Sequence, residues 1–494
     1  MTLSAPSRPA GSGWADRRIQ INVSPHAGEV DLSVLDGHGG GAALLDPVSM
    51  ADLLRNGFVY PPHTIFRDVK VASTGFDPAQ DLHGVPVFHF ARQSAMAAPS
   101  RPPADAVDED DLVETYHRLL CDAVTRSTAG MRSPWLLQSG GKDSTSMAIA
   151  VAEVAPQIRC ITYRGGQEED EIDSARFVAR KLGLRHESLV CDPARSYDRY
   201  LACLPGMPLL TADFALLSYV DLATEIAGEG GDGIIDALGS DPYFGVPAHW
   251  QTHVLAWLAR RLRLPRGTLG WSVVGSNFGL CYLLGTMQMD SFERFYPGSR
   301  FTDAEVDELL GGEVASLSMR RLEVFRDDIA AATTMEARRR VSATILESAI
   351  FAKGMYAARA LNLRLGYPYC DAPLCDWVFH EVPDDRLIGP GGVNKVLVRQ
   401  HIARHFHELP YVSAKGSFRF DLCGLAAQRF EQVYDFALQV QELMPGAPAW
   451  LERHRHRMRN KYFASKFYLL AVILPWLQSR LHESPPVSGE EALP

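Results

Sequence analysis

The chain has 494 residues, a formal net charge of −10, 46% hydrophobic and 22% charged residues. That length holds two or three domains with a sizeable core, and the acidic balance argues against a general nucleic-acid binder, which is usually basic. The eight cysteines lie in apolar contexts with no CxxC pair, which argues against a zinc site or a disulfide scaffold and for reduced thiols in a cytoplasmic protein.

Residues 1–16 read as a disordered tail without the apolar core of a secretory signal. Residues 17–99 carry short β-like runs (RIQINV, VYPPHTIF, DVKVAS, VPVFHF) punctuated by GHGGGAA and prolines, the pattern of a small β-rich N-terminal domain. Residues 100–112 read as a linker that ends in helix-start acids. A helix over 110–129 follows, then a strand at WLLQS and a helix from Ser144. Next come a strand at IRCITYR, a helix at DEIDSARFVARKLG, a strand at HESLVC, a helix at SYVDLATEIAG and a strand at GIIDAL. This alternation predicts an α/β fold, a parallel sheet flanked by helices. The rest, to residue 480, reads as a helical C-terminal part. TDAEVDELLGG opens with a capping box of Thr302 and Glu305. The longest apolar run, from Phe467, is too short to span a bilayer and contains Pro475, so it reads as a buried helix. Residues 481–494 read as a second disordered tail.

Ligands of a parallel sheet bind at the carboxyl ends of its strands. The loops after WLLQ, CITY and IIDAL should therefore meet in one crevice. The first is Ser139-Gly140-Gly141-Lys142-Asp143-Ser144, and its spacing is not that of a GxxxxGK[ST] loop. Its glycines allow close approach of a phosphate. Its N–H groups and the following helix N-terminus offer partial positive charge, and Lys142 adds a full one. Asp143 would repel phosphate unless a cation lies between, which implies Mg²⁺. The third loop, GSDPYFG, puts a second carboxylate, Asp241, at its strand tip. Several features have plainer readings. Asp241 could be a helix cap, Arg364 an ion pair, and Cys370 and Cys375 buried packing. RHRHRMRNK (453–461) and HFHE (405–408) read as solvated helix surfaces rather than metal sites.

SGGKDS resembles the pyrophosphate loop of the N-type ATP pyrophosphatases. GIIDALGSDPYFG, YAARALNLRLGYPYCDAPLCDWVFHEVP and NKVLVRQHIARHFHELPYVSAKGSFRF, in that order, are similar to the synthetase domain of the asparagine synthetase-like family, whose relatives include β-lactam synthetases and lasso-peptide cyclases. The resemblance implies an adenine nucleotide alpha-hydrolase-like fold over 113–480, preceded by a degenerate glutaminase-like domain over 17–99. It implies ATP and Mg²⁺ as cofactors. Ser139, Gly140, Gly141, Lys142 and Ser144 would cradle pyrophosphate, with Gly239 in the third loop. Asp143 and Asp241 would hold the metal, and the backbone at Thr162 and Tyr163 would meet adenine. Lys415 matches the lysine that stabilises developing charge at the acyl-phosphate centre. Lys395 and Arg399 are candidates for phosphate or structural contacts. Arg364 stands where asparagine-forming members carry a glutamate that handles the amine. Tyr356 and Glu347 could then supply a base.

The implied activity is ATP-dependent amide formation: a carboxylate is adenylated with release of AMP and pyrophosphate, and an amine takes the acyl group. Thr2 stands where glutamine-hydrolysing members need a cysteine, so glutamine hydrolysis is not expected. An intramolecular cyclase and a sulfur or nitrogen transferase sharing only the loop are alternatives. The expected partners are a small-molecule or peptide carboxylate and an amine donor, with no nucleic acid and no membrane. A homo-oligomer is left open.

Overall fold

Three strands whose residues are almost entirely buried form the middle of the molecule: β5 (Pro134–Leu137), β6 (Arg159–Arg164) and β8 (Gly233–Asp236). Near-continuous apolar runs of this kind suit a parallel sheet covered on both faces. The computed structural model describes residues 19–22, 32–35, 44–72, 76–80, 86–90, 108–165, 170–245, 277–288, 301–325, 350–408, 410 and 420–481. Both expected tails, apart from Leu481, most of the linker, Thr2, Glu347 and Lys415 lie outside the described residues.

The sheet is five-stranded and wholly parallel, in the order β7-β6-β5-β8-β9, with β7 at Arg185–Val190 and β9 at Arg364–Gly366. This is an α/β architecture, a parallel sheet flanked by helices. The chain moves outward from β5 through β6 to β7, then returns to the other side of β5 with β8. The crevice between the carboxyl ends of β5 and β8 is therefore the topological switch point. β9 is a short strand that the alternation did not reveal, because three residues carry no period.

Helices cover the sheet. Between β5 and β6 runs α3 (Lys142–Val154), which is buried from Asp143 to Val151 and packs on α2 (Glu109–Thr128) and on α14 (Val396–His405). A helix buried on every side fits the apolar content of its sequence, SMAIAV. α4 (Asp170–Lys181) follows β6, α5 (Pro193–Cys203) and α6 (Leu216–Gly228) follow β7, and the short α7 (Ser240–Phe244) follows β8.

In the C-terminal part, α15 (Leu422–Gln439) and α16 (Ala447–His454) pack on α17 (Lys461–Leu481), the helix that carries the long apolar run. Pro475 sits inside α17 and cannot donate to the carbonyl four residues back. That carbonyl, on Ala471, accepts instead from the Tyr197 hydroxyl at 3.0 Å, and the next, on Val472, accepts from Tyr200 at 2.6 Å. Among the described residues no helix is long and apolar enough to cross a membrane. α9 (Asp303–Leu310) starts with the capping box of Thr302 and Glu305 in both directions.

Before residue 100 the strands are short. β1 (Ile19–Asn22) pairs in parallel with β2 (Val69–Ala72), and β3 (Phe76–Gln80) pairs with β4 (Pro86–Phe90) as an antiparallel hairpin. VYPPHTIF is a series of turns with isolated bridges rather than a strand. A helix that periodicity did not reveal, α1 (Pro47–Asn56), lies between, capped by Asp46 with Pro47 at its first position. It packs on α9, α10 (Ala315–Leu322) and α17. Arg321 of α10 pairs with Asp46 and Asp52 across this contact.

Candidate active site

The pyrophosphate-loop sequence lies at the switch point. Ser139, Gly140 and Gly141 join β5 to α3, and no side chain caps the α3 N-terminus. Its first N–H groups are thus available to an anion. The loop is braced from within. The Ser144 hydroxyl donates to the Ser139 carbonyl at 2.7 Å, lies 3.0 Å from the Gly141 carbonyl, and accepts from the Ser139 N–H at 3.1 Å. Ser144 is buried, so its hydroxyl shapes the turn. Gly140 is required for packing: a Cβ there would stand 2.7 Å from the Cα of Glu171 on α4.

The loop after β8 meets the first. Gly239 has a left-handed φ of +103°, and a Cβ on it would lie 2.4 Å from the Cys370 Sγ. So the segment after β9, Pro368–Asp371, packs directly on the Gly239-Ser240-Asp241 turn. Within that segment Tyr369 donates to the Asp143 carbonyl at 3.0 Å. Asp371 receives two bonds from Arg126 of α2, at 2.8 and 2.7 Å, which ties the segment to the helix beneath it.

Lys395 joins the loops. It precedes α14 in a left-handed conformation, φ 57°, and its side chain is 1% exposed. Its Nζ lies 2.8 Å from Asp143 Oδ2, 2.8 Å from Ser240 Oγ and 2.5 Å from Asp241 Oδ1. Burial works against its charge, but Asp143 and Asp241 hold its pKa above the ordinary lysine value. Lys142 differs: it is half-buried, and desolvation brings it below the ordinary value despite Asp143, with Lys395 and Arg399 also repelling it. Arg399 itself bonds the carbonyl and side chain of Asn394 at 2.8 and 3.2 Å.

The donor set suits a hard divalent cation. Asp143 Oδ1 is buried and has no hydrogen-bond partner among the described residues, and Asp241 is half exposed. Lys395 takes one oxygen of each carboxylate. A magnesium ion would use the other, with phosphate oxygens and water completing its shell.

On the β6 side, Thr162 is buried and donates to the Gln138 carbonyl at 2.7 Å, which fixes the strand end beside the loop. The Tyr163 hydroxyl lies 3.3 Å from Ser196 Oγ. Two expectations change. Arg364 is the first residue of β9, opposite Gly233 at the start of β8. It therefore sits at the amino end of the sheet, while the crevice is at the carboxyl end. Its guanidinium donates to the Ala129 carbonyl at the end of α2, where a cation complements the helix dipole. It is a helix-terminal contact and not a substrate clamp. Tyr356 on α11 (Ala352–Ala360) is buried and lines a small pocket with His63, Ile65 and Leu209. Burial raises its pKa, which makes it a poor general base. Sequence reading missed Ser240, Tyr369 and the buried Tyr116 and His401. Ser240, Tyr369 and His401 lie inside quoted motifs; Tyr116 carries no local signal.

Fold and site together define an ATP-dependent ligase-type enzyme, built around a pyrophosphate loop and a cation-bridged pair of carboxylates. The chain belongs to the asparagine synthase family, whose model matches residues 115–420. Among solved structures it is similar to an NMN synthetase from Francisella tularensis, at 13% identity over 48% of this chain and 92% of that one, with a TM-score of 0.22. It is also similar to an NAD⁺ synthetase from Burkholderia pseudomallei, at 20% identity over 48% and 96%, with a TM-score of 0.20. Compared with proteins of curated function, the chain has no significant match.

Proposed function

We propose that this enzyme adenylates a carboxylate with ATP, releases pyrophosphate, and passes the acyl group to an amine without hydrolysing glutamine. The observation that carries this reading is the meeting of Asp143, Asp241 and Lys395 at the phosphate loop. Two carboxylates would repel a triphosphate. Lys395 offsets that repulsion and leaves Asp143 Oδ1 and the exposed side of Asp241 for Mg²⁺. Mg²⁺ there would neutralise charge on the departing pyrophosphate.

The substrate carboxylate attacks the α-phosphorus, and the bond between that phosphorus and the bridging oxygen to the β-phosphate breaks. The amine then attacks the acyl carbon, AMP leaves with the carboxylate-derived oxygen, and the amine gives up a proton. The chain's contribution is position and charge. The α3 N-terminus and Lys142 face the pyrophosphate, and Gly140 and Gly141 allow its close approach. The β6 end at Thr162 and Tyr163 borders the adenine side. Lys415, from the segment after α14, is assigned to the acyl-phosphate centre. Family membership supports this reading over a transferase that shares only the loop. An intramolecular cyclase is the second reading.

The test is ATP–pyrophosphate exchange across a panel of carboxylic acids, because exchange requires only the acid. Acid-dependent exchange with AMP as the nucleotide product is expected, and ADP as the product would reject the reading. With glutamine as the only nitrogen source, no coupled glutamate release is expected.

A further inference from the structure

Away from the crevice, α2 and α14 bring together three imidazoles far apart in sequence. The ring centroids of His117, His401 and His405 stand 5.1, 5.7 and 5.3 Å apart pairwise. Each ring can offer a nitrogen within 4.8 Å of the others. His117 Nδ1 and His401 Nε2 already face each other at 2.8 Å. Their remaining nitrogens are held from outside: His117 Nε2 by Glu153 of α3 at 2.8 Å, and His401 Nδ1 by Ser146 Oγ at 2.9 Å. A carboxylate or hydroxyl on the far ring nitrogen is how proteins orient metal-ligating histidines.

We propose that His117, His401 and His405 bind a divalent transition-metal ion of the zinc class. The ligand atoms are His117 Nδ1, His401 Nε2 and one ring nitrogen of His405, with a fourth position open to water. Glu153 and Ser146 support the site from behind. Zinc–nitrogen bonds of about 2.0–2.1 Å place two nitrogens of a tetrahedral site about 3.3 Å apart. The His117 and His401 rings therefore need to part by about half an ångström. His405 is exposed at the last residue of α14 and can swing to meet them. Burial, helped by the neighbouring imidazoles, keeps His401 well below the ordinary histidine pKa and lowers His405. Cys121 lies 3.6 Å from His117 Nε2, but that nitrogen is taken by Glu153.

The site is wired to the phosphate loop. Without metal, the Glu153 carboxylate can only accept, so His117 carries its proton on Nε2. His401 Nε2–H then donates to His117 Nδ1, and the Ser146 hydroxyl donates to His401 Nδ1. A metal on His401 Nε2 moves that proton to Nδ1, which donates to Ser146 in turn. The Ser146 proton turns to Tyr116 at 2.8 Å, and that of Tyr116 to Tyr369 at 3.1 Å. The Tyr369 proton already points at the Asp143 carbonyl. Every donor keeps an acceptor and no proton is lost. The metal also clamps the far end of the helix that begins at Lys395.

The test uses the full chain, stripped with a chelator and titrated with Zn²⁺ or Co²⁺ in excess Mg²⁺, which occupies the carboxylate site. Equilibrium dialysis should show stoichiometric binding, and bound Co²⁺ should give tetrahedral ligand-field absorption without a thiolate charge-transfer band. His405→Ala, at an exposed position, should weaken binding roughly tenfold or more, and Glu153→Gln by roughly tenfold. Cys121→Ser should change nothing. Absence of stoichiometric binding to the wild-type chain, or equal binding to His405→Ala, would overturn the proposal. A charge-transfer band that disappears in Cys121→Ser would also overturn it, by moving the ion to the other side of His117.

Discussion

Lys395→Ala tests the centre of the site. In the folded chain Lys395 Nζ touches Asp143 at 2.8 Å and Asp241 at 2.5 Å. Each contact is worth about 6 kcal/mol of direct attraction at an effective dielectric of about 20. Burying the ammonium costs several kcal/mol. Removing the lysine recovers that cost but leaves Asp143 buried and facing a second carboxylate. Losing one partner of a buried pair destabilises by about 3–5 kcal/mol. The φ of 57° is equally uncomfortable for lysine and alanine, so backbone strain does not contribute to the difference. Urea denaturation should therefore show a loss of about 3–5 kcal/mol for Lys395→Ala. Mg²⁺ should recover part of it by filling the vacated position, and its apparent affinity should rise. Lys395→Ala/Asp143→Asn should be more stable than the single variant, because the stranded charge is gone. The reasoning fails if Lys395→Ala unfolds within about 1 kcal/mol of wild type, well under the expected range, or if the double variant is no more stable than the single.

Five further variants have expected outcomes. Gly140→Ala forces a Cβ to 2.7 Å from the α4 backbone; it should destabilise by about 1–3 kcal/mol and abolish pyrophosphate exchange. Gly228→Ala, which meets nothing within 4 Å, should stabilise by about 0.5 kcal/mol and leave exchange unchanged, as urea melts of both variants would show. Glu305 is half-buried, and desolvation pushes its pKa up, but Lys466 at 2.7 Å holds it below the ordinary glutamate value. Its contribution is therefore present above about 4.5 and lost as pH falls through the lower folded value; Glu305→Gln should be less stable at neutral pH and should show a flatter acid limb in thermal melts. Arg364→Ala should cost about 0.3–1 kcal/mol through the α2 terminus and leave turnover intact, so a large drop in kcat would restore a substrate role. Tyr369→Phe, which loses its bond to the Asp143 carbonyl, should cost about 1–3 kcal/mol and raise the KM for ATP.

Local sequence determined much of this protein. The buried runs at WLLQ, RCITY and GIID, alternating with helical segments, read as strands covered on both faces, and the Ser-Gly-Gly turn leads into a helix that no side chain caps. Capping chemistry at Thr302 and Glu305 was equally local, since both partners lie within one helical turn. Other features depended on distance in the chain. β9 has three residues and gains its identity from pairing with β8. Arg364 changed role because strand register decides which end of a sheet a residue occupies, and composition does not. Lys395 came to Asp143 from 252 positions away in the chain, on a left-handed backbone that no motif announces. The HFHE segment, read alone, is a helix surface. His405 meets His117 and His401 only because α14 packs on α2, and that packing follows from the apolar faces of whole helices rather than from either short stretch.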